Sequence, residues 1–89
     1  MTKYTIKTHK SVEKFLSTHP EVARHFIEKF SLIAQDPQTN AVDTKPLKGK
    51  PNNFRLRIGK YRFLYEIRHT EILIWIWRAD NRNNVYDDL

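Results

Sequence analysis

LKGKPNNFRLRIGKYRFLYEI, residues 47–67, decides how this chain is read. The first seven residues, with Gly49, Pro51 and two asparagines, read as a loop, and the remainder as two strands joined at Gly59-Lys60. Glycine at the first central position of a two-residue connection predicts a type II′ hairpin. The stretch holds six of the chain's 16 Lys+Arg, and Arg55, Arg57 and Arg62 fall on the strands. Strand side chains alternate between faces, so Arg55 and Arg57 share one face while Phe54, Leu56 and Ile58 share the other. A half-buried strand that turns two guanidinium groups the same way predicts an anion-binding surface.

Downstream, residues 72–78 form a third strand after a turn at His69-Thr70, which makes an antiparallel meander of 54–58, 60–67 and 72–78. In the last of these, Ile72, Ile74 and Ile76 take one face and Leu73, Trp75 and Trp77 the other. Both faces are apolar, which predicts a central strand covered on both sides. Upstream, residues 3–8 alternate as a short strand. Ser11 is the expected cap of a first helix bearing Val12, Phe15 and Leu16, and Pro20 suits the first turn of a second. Val22, Phe26, Phe30 and Ile33 recur at helical spacing and form one apolar stripe, and Asp36-Pro37 closes the helix. Residues 37–53, with three of the four prolines, read as one long surface loop. The expected order is β-α-α-β-β-β: an α+β fold in which a helical hairpin packs on one face of a twisted antiparallel sheet.

Eighty-nine residues suit one small domain, residues 1–89, without room for a second core. The net charge of +6 points to an anionic partner: nucleic acid, the ribosome or an acidic protein. The absence of cysteine excludes disulfides, thiolate metal sites and cysteine nucleophiles. His9, His19, His25 and His69 are scattered without metal-ligand spacing to a carboxylate, so they read as surface histidines, and neither metal nor cofactor is expected. No apolar run is long enough for a signal peptide or a membrane span, and a cytoplasmic location is the expectation.

At LKG, then RLRIG, YR and YEI, and at the closing Arg82 and Val85-Tyr86, the chain resembles the RelE/ParE superfamily of toxins from bacterial and archaeal toxin–antitoxin systems. The resemblance implies the fold described above. It also implies a toxin, in the RelE branch a metal-independent, ribosome-dependent endoribonuclease that cleaves translated messenger RNA. Carried over by position, Arg55 and Arg57 stand where two basic residues lie on the first strand of the meander. Arg62 is the arginine after the motif tyrosine, Arg82 the arginine beyond the last strand, and Tyr86 the closing tyrosine. Three departures stand out. Arg57 replaces a lysine able to act as base, Asn81 stands where several relatives have a histidine, and the tail ends at Leu89 without the further helix many relatives carry.

Cleavage without a metal uses the 2′-hydroxyl as nucleophile, and it needs a base, cations on the phosphorane and an acid for the leaving 5′-oxygen. Arg62 is the expected phosphorane ligand, with Arg82 beside it or near the leaving group. Arg55 and Arg57 would hold flanking phosphates or ribosomal RNA, and Lys45, Lys48 and Lys50 would steer RNA from the loop. Arginine does not deprotonate, so Arg57 is a poor base. Glu66 reads either as that base or as an ion-pair partner of Arg62 or Arg68. Tyr86 reads as a stacking or proton-donating residue or as a tyrosine at the core's edge. Trp75 and Trp77 could stack on bases, fill the core or lie under a partner. The resemblance further implies an acidic antitoxin, the ribosome and messenger RNA as partners, and promoter DNA reached only through the antitoxin complex. Two other functions fit the same scaffold: a ParE-like inhibitor of DNA gyrase, or a decayed toxin that only binds a partner.

Overall fold

The computed structural model describes residues 3–81. Its elements are β1 (Thr5–Thr8), α1 (Lys10–Ser17), α2 (Pro20–Gln35), β2 (Thr44–Pro46), β3 (Asn53–Ile58), β4 (Tyr61–Arg68) and β5 (Leu73–Asn81). The strands form one sheet in the order β1-β5-β4-β3-β2. The α+β architecture and the helical hairpin over one sheet face are as expected. The sheet is mixed, however: β1 runs parallel to β5, from Thr5 beside Leu73 to Thr8 beside Ile76, while the other neighbours pair antiparallel. Parallel pairing needs a crossover, and the helical hairpin supplies it.

The core lies between the hairpin and the sheet. Phe26, Phe30, Ile33 and Ala34 of α2 and Val12 of α1 are buried against Leu56, Ile58, Phe63, Tyr65, Ile67, Ile74 and Ile76. These residues follow from period: a 3.6-residue stripe on the helix meets alternate residues on the strands. Phe26 packs on Phe30 at 4.7 Å between ring centroids and on Phe63 at 5.1 Å, and Phe30 meets Tyr65 edge-on at 5.2 Å. Such aromatic contacts add to the area buried in a domain too small for a large aliphatic core.

Four local expectations need correction. Ser11 does not cap α1. His9 does, its Nδ1 accepting from the Ser11 amide at 3.0 Å, so the helix starts earlier. The 37–53 stretch is not all loop, because Thr44, Lys45 and Pro46 pair with Leu56, Arg55 and Phe54. A three-residue edge strand ending in proline is too short to show alternation, and an edge is where proline is tolerated. Ile72 is not in the strand: its φ of 51° places it in the left-handed region, closing the turn with its amide on the His69 carbonyl. Finally, β5 is interior but not covered on both sides. Among the described residues both helices pack on the Ile74 and Ile76 side, and neither tryptophan joins the side chains packed on the core.

The hairpin turn agrees with its reading. Ile58 pairs with Tyr61, and Gly59 has a φ of 58° while Lys60 does not have a positive one. That pattern, positive at the first central position only, is the type II′ form. Nothing lies within 4 Å of a Cβ placed on Gly59, so only backbone conformation disfavours a side chain there. Gly59→Ala is therefore expected to lower the unfolding free energy by about 1–2 kcal/mol in urea titration. Ile72→Asn, at a strained and partly exposed position, is expected to raise it by about 1 kcal/mol in the same measurement.

Tyr65 adds a pH dependence. Burial raises its phenol well above the ordinary value near 10, outweighing the Thr44 hydrogen bond and the Arg55 charge that pull the other way. A group whose folded pKa is raised contributes stability that is complete below its unfolded pKa and lost as pH rises above it. Unfolding free energy should therefore fall as pH climbs above about 10, with a shallower fall in Tyr65→Phe.

Candidate anion-binding face

The sheet face opposite the helices carries the strand arginines, and strand register sets their order. Arg57 on β3 stands directly opposite Arg62 on β4, which in turn stands opposite Asp80 on β5. One step along, Lys45, Arg55, Leu64 and Arg78 form a second row across β2, β3, β4 and β5. The next row runs from Asn53 through Glu66 and Trp75 to Lys7. The structure thus brings together Arg55, Arg57, Arg62, Glu66 and Lys45 of the residues singled out above. Lys48 and Lys50 lie beside the face on the loop after β2. Arg82 and Tyr86 lie outside the described residues.

Arg78 was missed by strict alternation. Tyr65 pairs with Ile76 and Leu64 with Arg78, so Trp77 is an extra residue in β5. This bulge keeps Arg78 off the face to which period two assigns it and turns it outward. Its Nη2 donates to Asp80 Oδ2 at 2.8 Å. A bulge has no sequence signature at this point.

Leu47 and Leu64 are buried, yet neither belongs to the core under the helices. Trp77 donates its indole N–H to Asn53 Oδ1 at 2.9 Å, and the Lys50 ammonium lies 5.0 Å from its ring centroid. The loop after β2 is thereby tied to the sheet through Asn53 and Lys50.

Electrostatics on this face are crowded. The Arg55 side chain is only 11% exposed. Its pKa is lowered, first by burial and then by the neighbouring Arg57 and Arg62 charges, with Asp43 acting against them. It remains a cation, because a guanidinium does not deprotonate within the protein range. Its Nη1 is buried and finds no hydrogen-bond acceptor among the described residues. Asp43 holds the pair from the edge: Arg57 Nε donates to its Oδ2 at 3.0 Å and Arg55 Nη2 lies 3.9 Å from its Oδ1. Glu66 accepts from Arg68 Nε at 2.7 Å, so of its two readings the ion-pair arrangement is the one present, with Arg68 as the partner. That hydrogen bond raises the Arg68 pKa, with the Glu66 and Glu71 charges in support.

The histidines have structural surroundings. His9 caps α1, the His19 ring stacks on Phe15 at 4.0 Å, and His69 Nδ1 shares a hydrogen bond with the Tyr4 hydroxyl at 2.9 Å. Among the described residues no group of three or more histidine, aspartate or glutamate side chains is placed to hold a metal ion, and no helix is long and apolar enough to cross a membrane.

A helical hairpin on one side of a small twisted sheet and clustered arginines on the other define a small α+β domain with a basic face. No family model matches the chain. A candidate toxin named RelE1 from Methanocaldococcus jannaschii is 30% identical over 89 residues, spanning 94% of this chain and 96% of that one. In the solved archaeal RelE–RelB complex from Pyrococcus horikoshii, a matching chain superposes with a TM-score of 0.80 at 27% identity, over 94% of this chain and all of that one. The isolated E. coli RelE toxin matches with a TM-score of 0.72 at 14% identity, over 88% and 83% of the two chains, which speaks for the fold alone. The chain belongs to the RelE family of toxins of toxin–antitoxin systems.

Asp43 is the brake on the arginine face, since it holds both Arg55 and Arg57. Asp43→Asn is expected to tighten binding of inorganic polyphosphate. It should also steepen the salt dependence of log K by roughly 0.7–0.9 for each added phosphate contact, read by titration at several ionic strengths.

Proposed function

We propose that this protein is a ribosome-dependent endoribonuclease that cleaves translated messenger RNA without a metal. The observation that carries the reading is the direct cross-strand apposition of Arg57 and Arg62, with Arg55 and Arg78 in the adjoining row. Like charges placed opposite each other cost stability. An anion between them turns that cost into binding energy, and the planar fork of arginine suits two phosphate oxygens.

In the reaction, the 2′-oxygen forms a bond to the adjacent phosphorus as its proton leaves. The bond from phosphorus to the 5′-oxygen breaks, and that oxygen takes up a proton. The products are a 2′,3′-cyclic phosphate and a 5′-hydroxyl. Arg62 stabilises the negative charge that grows on the non-bridging oxygens, with Arg82 beside it or near the leaving oxygen. Arg55, Arg57, Lys45, Lys48 and Lys50 bind flanking phosphates or ribosomal RNA. Tyr86 stacks on a base or donates the proton. Glu66 can accept the 2′-hydroxyl proton only after release from Arg68, so orientation of the RNA by the ribosome carries much of the rate. The partners in this reading are the ribosome, messenger RNA and an acidic antitoxin wrapped on the basic face, as RelE chains are solved together with RelB.

One observation favours a second reading, in which the face binds without cutting, as in a gyrase inhibitor or a partner-binding module: Asp43 and Glu66 both already hold arginines. Primer extension on messages after expression of the free protein separates the two. Cuts confined to translated RNA are expected, whereas intact messages with broken DNA, or no effect on either, would overturn the nuclease reading. Arg62→Ala and Arg82→Ala are each expected to reduce cutting by roughly 10²–10³-fold while leaving the circular dichroism unchanged. Full cutting by both variants would remove them from the site.

A further inference from the structure

Trp75 occupies a position that the core does not explain. A side chain of its size normally goes inside. Here the helix side of β5 is filled by Ile74 and Ile76, and Trp75 stands half-buried on the open face. Its cross-strand neighbours are Lys7 on β1 and Glu66 on β4. The Arg68 guanidinium lies 6.0 Å from its ring centroid, and the His9 ring meets it edge-on at 6.1 Å. Trp77, two residues on, differs. Its N–H is committed to Asn53 and its ring to Lys50, so it serves to hold the loop.

Flat aromatic rings on the central strands of an open sheet, with cations around them, are how sheet-based proteins take unpaired bases. Glu66, opposite Trp75, lies four residues from Arg62 along β4, roughly 13 Å at the rise of a strand. A short run of single-stranded RNA spans that interval. An acidic peptide would use the cations and leave the indole face idle, whereas a nucleotide uses phosphate and base together. We infer that Trp75, flanked by Arg68 and Lys7, is a stacking platform for an unpaired base of single-stranded RNA whose backbone continues onto the arginine row. The inference rests on the RNA reading of that row, but its test reads binding rather than cleavage.

The chain has two tryptophans, so Trp77→Phe leaves Trp75 as a single fluorescent reporter. Addition of a short single-stranded RNA is expected to quench its emission, and inorganic polyphosphate, which has charge but no base, is expected to leave it unchanged. In the otherwise native chain, Trp75→Ala is expected to weaken RNA binding by roughly fivefold to a hundredfold while polyphosphate binding stays the same. Trp75→Phe should retain most of the RNA affinity. Emission unmoved by RNA, or equal weakening of both ligands in Trp75→Ala, overturns the platform. RNA-specific quenching in a protein that makes no cuts in translated messages supports the platform and overturns only the nuclease reading. Cuts by a protein whose Trp75 emission ignores RNA do the reverse.

Discussion

Arg57 faces Arg62 across the β3–β4 ladder, and much of the molecule is arranged around that unfavourable pair. The type II′ turn at Gly59-Lys60 sets the register that makes them neighbours, and a slip of one residue in either strand would send its arginine to the core. Charges of opposite sign stand on either side of the pair. Asp80 stands opposite Arg62 on β5, and Asp43 binds Arg57 from the strand edge. Beside the pair, the Arg55 pKa is lowered, first by burial and then by the Arg57 and Arg62 charges. A surface held in that state is prepared for an anion.

The aromatic core makes this arrangement affordable. Phe26, Phe30, Phe63 and Tyr65 fill the space under the helices and anchor the central strand β4 from one side. With the hairpin covering a single face, the other is left to charged residues and tryptophans. Trp77, bound to Asn53 and under the Lys50 ammonium, ties the basic loop to that face. Charge, sheet and loop therefore form one surface and not a flexible basic segment beside a domain. The same rigidity favours electrostatic work, because oriented cations need no reorganisation when charge develops.

Glu66 shows how a position legible in sequence can differ in state. Alternation along β4 puts it on the face of Arg62, but the side chain is bound to Arg68, two residues further along the same strand. Face is a property of backbone period, whereas a carboxylate's partner depends on rotamers and on which cation is nearest. The nuclease reading accordingly relies on orientation and charge more than on a poised base.

Periodicity and turn chemistry by themselves determined the helical hairpin, the meander, the type II′ turn and the common face of Arg55, Arg57, Arg62 and Glu66. These are local properties, set by side-chain spacing of 3.6 or 2 and by one glycine. Tertiary structure alone decided the parallel docking of β1 on β5, the added strand at Thr44–Pro46 and the bulge at Trp77 that turns Arg78 outward. Each depends on which segments, distant in sequence, compete for a strand edge, and no local period records that competition. The histidine cap at His9 and the left-handed Ile72 belong with them, since common capping and turn residues do not predict either. The arginines could be read from the chain, but their company of Asp43, Asp80 and Trp75 came only with the fold.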